Sequence, residues 1–217
     1  MKNEKLTKGL LVLVLYILIP LILNNFLPSL TDSNAVSIII RLVVDIGLII
    51  TFIMIYKEDF KKYTQNFKSN KTKIVLTSLL FAFLAFVGMI VSTGILNALS
   101  IKESTNNLII THLYGMIPMY MMFQTIIYVP IIENIVFRKV FKDNIKNTAL
   151  FILTSGLVYG IYHIIYNVSS PIEILQMLPY VVTGIIYAWA YKKTDNIYTP
   201  IFATFLYALV VFLINLA

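Results

Sequence analysis

The amino-acid sequence predicts an all-α polytopic membrane protein with about seven transmembrane helices, and three observations carry that prediction. Of its 217 residues, 59% are hydrophobic and only 12% charged, with a mean hydropathy of +0.86, a balance that excludes a water-soluble globular domain. Apolar runs near 9–29, 35–56, 74–98, 118–141, 149–167, 173–191 and 197–216 each approach the length that crosses a bilayer core. Fifteen of the 17 Lys and Arg residues fall before the first run, in alternate connections or in the last turn of the fourth run beside one of them, as the positive-inside rule requires of an odd number of crossings.

The first run follows Lys5 and Lys8, is longer than a secretory h-region and lacks a small-residue cleavage site, so it is expected to remain as the first helix. In the second run Arg41 and Asp45 lie four apart on one helix face, where a structural ion pair is expected. The Lys- and Asn-rich stretch from Glu58 to Lys73 reads as a solvated connection. Residues 101–117 are expected to form an external loop with a short interfacial helix. A helix running on from Leu108 to Lys142 would be too long for one crossing, and Pro118 and Pro130 are natural break points. Lys102 is the lone lysine of an opposite-side loop, so the N-terminus is expected in the cytoplasm and the C-terminus outside. Gly156 and Gly160, four apart on the fifth run, predict a close helix approach.

The net charge of +7 follows from this topology, and nucleic acid is not an expected partner. Without cysteine the chain has no disulfide, no thiolate nucleophile and no Cys-bound metal.

Ionisable groups inside a membrane span cost at least ~2.5–3.5 kcal/mol on insertion scales and often mark function. The stretch "IIENIVFRKV", residues 131–140, holds Glu133, Asn134 and Arg138, and the next run ends in "GLVYGIYH", closing on His163. These runs are antiparallel neighbours, so Glu133 and His163 can face each other at similar depth. A carboxylate beside an imidazole can activate one water, because the pair can accept and share a proton. The same pair can instead serve as a buried polar contact locking two helices. Arg138 reads as a side chain that snorkels to the cytoplasmic interface. A catalytic zinc takes three protein ligands. The chain has only two histidines, His112 and His163, and nothing requires Asp45 to turn toward Glu133, so a zinc ligand set is incomplete. Zinc stays open as a cofactor on that incomplete set, no other cofactor is assigned, and His112 is read as an interfacial or loop residue.

In order and spacing these residues resemble the CPBP family, the CAAX prenyl proteases and bacteriocin-processing or self-immunity proteins, also called Abi proteins. The family's EExxxR motif is matched by Glu133-Asn134-Ile135-Val136-Phe137-Arg138, with asparagine for the second glutamate. Its FxxxH motif is matched by Tyr159-Gly160-Ile161-Tyr162-His163, with tyrosine for phenylalanine. The third motif, HxxxN, falls on "TPIFATFLYALVV", where Thr204 stands for the histidine and Ala208 for the asparagine. The resemblance implies a CPBP-type helical bundle. Residues 1–114 form variable amino-terminal helices and residues 115–217 form the core, within a single membrane domain. It further implies Glu133 and His163 as water activators and Arg138 as a structural arginine. The oxyanion half is reduced to the Thr204 hydroxyl, and losing one such donor typically costs ~2.7–4 kcal/mol of barrier.

Two uses of such a site stay open. One is a weak intramembrane peptidase, a hydrolase acting on a hydrophobic or lipidated peptide. The other is a non-catalytic protein that binds a peptide or a membrane protein, such as a bacteriocin self-immunity factor. A small transporter is a third reading, though few polar residues are spread through the other spans to line a path. The high Ile, Lys and Asn usage resembles a low-GC Gram-positive bacterium, which suggests the bacterial cell membrane as the location.

Overall fold

The computed structural model describes residues 2–216 except Lys102, Ser104, Tyr166, Asn167 and Ser169. The expected external placement of Lys102 therefore lies outside the described residues, as does the predicted end of the fifth run at residue 167. The described residues fold into helices α1 (Lys2–Leu30), α2 (Asn34–Ile55), α3 (Lys57–Ala98), α4 (Thr105–Met116), α5 (Pro118–Asn144), α6 (Thr148–Ile164), α7 (Leu178–Thr194) and α8 (Tyr198–Leu216). A 3₁₀ segment, Pro171–Met177, leads into α7. Five stretches are long and apolar enough to cross a membrane, namely those of α1, α2, α3, α5 and the segment Pro171–Thr194, with α6 and α8 as shorter apolar helices. The chain is an all-α polytopic membrane protein.

Local chemistry sets most helix ends. Ser33 caps α2 by accepting from Val36 N, and Asn147 caps α6 by accepting from Leu150 N at 3.0 Å, each filling an orphan donor of the first turn. Pro118 opens α5 at a position where its missing N–H is not needed. Asp195, at φ 52°, ends α7 in the left-handed conformation.

The stretch from Glu58 to Lys73 is exposed along its lysines but is not a loop; it forms the first part of α3, helical with a kink at Asn70. The reason is the spacing of Phe60, Tyr63 and Phe67, which puts three rings on one face. That face packs on Tyr191, Tyr198 and Phe202 while the lysines point away. Residues 101–117 contain α4, and His112 is exposed on it.

Helix α5 forms the centre of the bundle. Every residue from Ile132 to Val140 is buried, so this part of the helix presents no face to lipid. Pro130 does not break it. Instead the helix widens into two π-turns, Gln124–Tyr128 and Ile135–Lys139, on either side of the turn that bears Glu133. Such turns loosen the backbone ladder and recur at functional sites. Helix α8 packs beside α5 and α3, and α7 fills the space between α3 and α6. Helices α6 and α7 nearly touch at their glycines: a Cβ on Gly156 would lie 2.9 Å from Ile185 N, and one on Gly184 would lie 2.9 Å from Gly156 Cα.

Candidate functional site

The turn between the two π-turns of α5 carries the polar cluster. Glu133 is 4% exposed, and its Oε2 lies 3.6 Å from His163 Nε2 on α6. Neither atom has a hydrogen-bond partner among the described residues. The other carboxylate oxygen accepts a hydrogen bond from Tyr16 on α1 at 3.3 Å. Tyr16 belongs to the amino-terminal helices, and no motif pointed to it. Its placement comes from α1 packing against the end of α5, with its ring meeting Phe137 and Tyr162.

The imidazole of His163 is held by rings on three sides. Tyr180 stacks parallel to it at 4.5 Å, Tyr159 meets it edge-on at 4.4 Å, and Tyr162 lies at 5.8 Å. Tyr159, the residue in the phenylalanine position of the second motif, also offers its ring face to Arg138 at 4.2 Å.

Arg138 does not snorkel. It is 1% exposed, and its guanidinium lies over Tyr159 and 5.4 Å from the Tyr187 ring. The aromatic walls of α6 and α7 offer the cation a π surface where it has no water, and the π-turn points it inward. Its NH1 donates to the Glu133 carbonyl at 3.3 Å, and Ser155 Oγ donates to the Phe137 carbonyl at 2.6 Å. Both bonds brace the widened turn that carries Glu133.

Asn134 and Thr204 hold each other. Asn134 Nδ2 donates to Thr204 Oγ1 at 3.0 Å and to the Pro130 carbonyl at 2.8 Å, while Thr204 gives its own hydrogen to the Pro200 carbonyl at 2.8 Å. Thr204 and Ala208, which occupy the third-motif positions, line an apolar cavity of about 120 Å³ together with Tyr159, Tyr180, Tyr187 and Tyr207.

A second cavity, of about 230 Å³, is the one that Glu133 lines, together with Tyr16, Arg41, Asp45, Gln124 and Tyr128. Here the expected Arg41–Asp45 ion pair is not made. Asp45 accepts instead from Tyr120 Oη at 2.9 Å and from Gln124 Nε2, because α5 brings two neutral donors across to it. Arg41 and Tyr120 also border a larger cavity of about 730 Å³ between α1, α2 and α4. Among the described residues, no three of His, Cys, Asp and Glu gather closely enough to hold a metal ion. The ligands present therefore do not fit a three-ligand zinc site.

The helical membrane bundle thus buries a carboxylate against an imidazole, on a helix braced by an arginine. Residues 115–210, under half of the chain, match the family model "Rce1-like: Type II CAAX prenyl endopeptidase Rce1-like", so this region is similar to that family. It is also similar to the "Putative membrane peptidase YdiL" of Bacillus subtilis (strain 168), with 29% identity over 135 residues. That match covers 58% of this chain and 52% of the relative, so the chain aligns with about half of its length. No solved structure matches the chain.

Proposed function

We propose that this protein is a slow intramembrane peptidase that hydrolyses an amide bond in a hydrophobic or lipidated peptide. The observation that carries the reading is the 3.6 Å gap between Glu133 Oε2 and His163 Nε2, two buried polar atoms with no hydrogen-bond partner among the described residues. That gap is too long for a good direct hydrogen bond and suits two groups that hold the same water. Water reaches Glu133 through the polar cavity shared with Asp45 and Arg41. The peptide lies in the tyrosine-lined apolar cavity. Glu133 takes a proton as the water oxygen bonds to the carbonyl carbon, His163 orients that water, and the proton passes to the departing nitrogen as the C–N bond breaks. Arg138 and Tyr159 act as positioning residues, the first by bracing the Glu133 turn and the second by fixing the imidazole. The lysine-rich helix ends face the cytoplasm of a bacterial cell.

One observation favours a second reading. Asn134 and Thr204 direct their side-chain donors to each other and to backbone carbonyls, which suits a protein that binds a peptide or membrane partner without cutting it, as a self-immunity factor would. The small peptides released by cells expressing the wild-type chain, Glu133→Gln and His163→Asn, at equal membrane levels, separate the two by mass spectrometry. The peptidase reading expects a peptide that vanishes in both variants. Unchanged peptides, with the cellular phenotype intact, would replace it with the binding reading.

A further inference from the structure

We propose that the Tyr187 hydroxyl is the oxyanion donor of this site, an inference that rests on the peptidase reading above. Amide hydrolysis puts negative charge on the carbonyl oxygen, and a fixed donor must meet that charge. At the third-motif positions and at Asn134, the side-chain donors are already committed or missing. Thr204 has a single hydroxyl hydrogen and gives it to Pro200 O. Asn134 directs its amide hydrogens to Pro130 O and Thr204 Oγ1. Ala208 has nothing to give.

Tyr187, on α7, differs from all three. It is 1% exposed, and its hydroxyl, buried beside Thr204, makes no full hydrogen bond among the described residues. It lines the same cavity as Thr204 and Ala208, on the wall shared with Tyr159 and Tyr180, the two rings that grip His163. Arg138 lies against the Tyr187 ring as well as that of Tyr159, so the donor carries a cation at its back. A buried hydroxyl with no partner is a liability in a folded protein, and it becomes useful when a ligand supplies the acceptor.

The step balances without further reagents. The water oxygen bonds to the carbonyl carbon, the carbonyl π pair moves onto oxygen, and Glu133 holds the proton released. Tyr187 donates a hydrogen bond to the oxyanion and keeps its own proton. The carbonyl then reforms, the C–N bond breaks, and the amine leaves with the proton from Glu133.

The test measures the rate at which cells release the Glu133-dependent peptide, for wild type, Glu133→Gln, Tyr187→Phe and Tyr198→Phe, together with the unfolding temperature of each purified protein in detergent. Tyr198 lies outside the cavity, among the rings of Phe60, Phe67 and Phe202. Tyr187→Phe is expected to slow release by roughly 10²-fold while its unfolding temperature changes little. Tyr198→Phe is expected to keep the wild-type rate. Replacing Tyr187 with 4-aminophenylalanine, which restores an aromatic donor, is expected to recover much of the activity. Wild-type release in Tyr187→Phe, with release absent in Glu133→Gln, would overturn the assignment and leave the peptidase reading standing. A fall in unfolding temperature matching the fall in rate, with no rescue by 4-aminophenylalanine, would make Tyr187 structural. If Glu133→Gln releases every peptide that wild type does, the peptidase reading fails first and takes this inference with it.

Discussion

Asn134 on α5 donates a 3.0 Å hydrogen bond to Thr204 on α8, joining the position where the family has a second glutamate to the position where it has a histidine. Two departures from the family pattern have thus become each other's partners. Thr204→Val should leave the Asn134 amide short of an acceptor and cost about 1–3 kcal/mol. A second change, Asn134→Leu, should recover most of that loss, because replacing both members of a buried polar pair with apolar groups is close to neutral. Thermal unfolding in detergent of the two single variants and the double variant checks this coupling.

The bond from Tyr16 to Glu133 predicts that the amino-terminal helices matter to the site. Tyr16→Phe should destabilise the protein by about 1.5–3 kcal/mol, the range for hydrogen bonds to charged groups. Tyr16→Phe combined with Glu133→Gln should lose less than the sum of the single changes, since both act on one contact. Unfolding temperatures of the set give the answer.

Burial of Arg138 predicts that lysine is a poor substitute. The guanidinium plane lies on Tyr159, while an ammonium is a point charge that hydrates strongly. Arg138→Lys should cost roughly 2 kcal/mol from the stacked contact and reduce the folded fraction recovered from membranes, as read by size-exclusion profiles. An exposed, snorkelling arginine would give no such loss.

Gly156 predicts a steric failure. Gly156→Ala would set a methyl 2.4 Å from Ile185 Cγ1 and 2.9 Å from Ile185 N, pushing apart the helices that carry His163 and Tyr187. The expected cost is about 1–3 kcal/mol, with loss of any Glu133-dependent peptide release. Gly47→Ala serves as the control. Nothing lies within 4 Å of its Cβ, so the variant should gain roughly 0.5–1 kcal/mol from helix propensity.

Much of the site's composition was readable in the chain. A charged or amide group in a span is costly, so Glu133, Asn134, Arg138 and His163 stood out by expense alone, and helix pairing by short connections put Glu133 near His163. Helix spacing likewise made Gly156 and Gly160 a contact face. The helical continuation from Glu58 to Lys73 was readable too, in the spacing of Phe60, Tyr63 and Phe67, but the density of lysine masked it. Composition misleads there because the lysines lie on the face that the rings leave free.

Other features had no sequence signal. That α1 supplies Tyr16 depends on how one long apolar helix rotates against another, and its tyrosine looks like any aromatic residue near a span. Arg41 and Asp45 satisfied the spacing rule for an ion pair, yet Tyr120 and Gln124 took the carboxylate from a helix more than seventy residues away in the chain. The two π-turns of α5 also follow from packing, since each spends a backbone hydrogen bond to turn side chains inward.

The sequence by itself determined that the protein is a helical membrane protein and which few residues carry its polar chemistry. Hydrophobic length and the cost of buried charge are properties of residues taken one at a time. Only the tertiary structure decided which polar atoms are spent on one another and which remain unpaired. The Thr204 hydroxyl and Asn134 Nδ2 fall in the first group, and among the described residues Asn134 Oδ1, the Tyr187 hydroxyl, Glu133 Oε2 and His163 Nε2 fall in the second. Whether a hydrogen-bond partner exists depends on helix rotation and register, to within an ångström, and no single stretch of sequence encodes that.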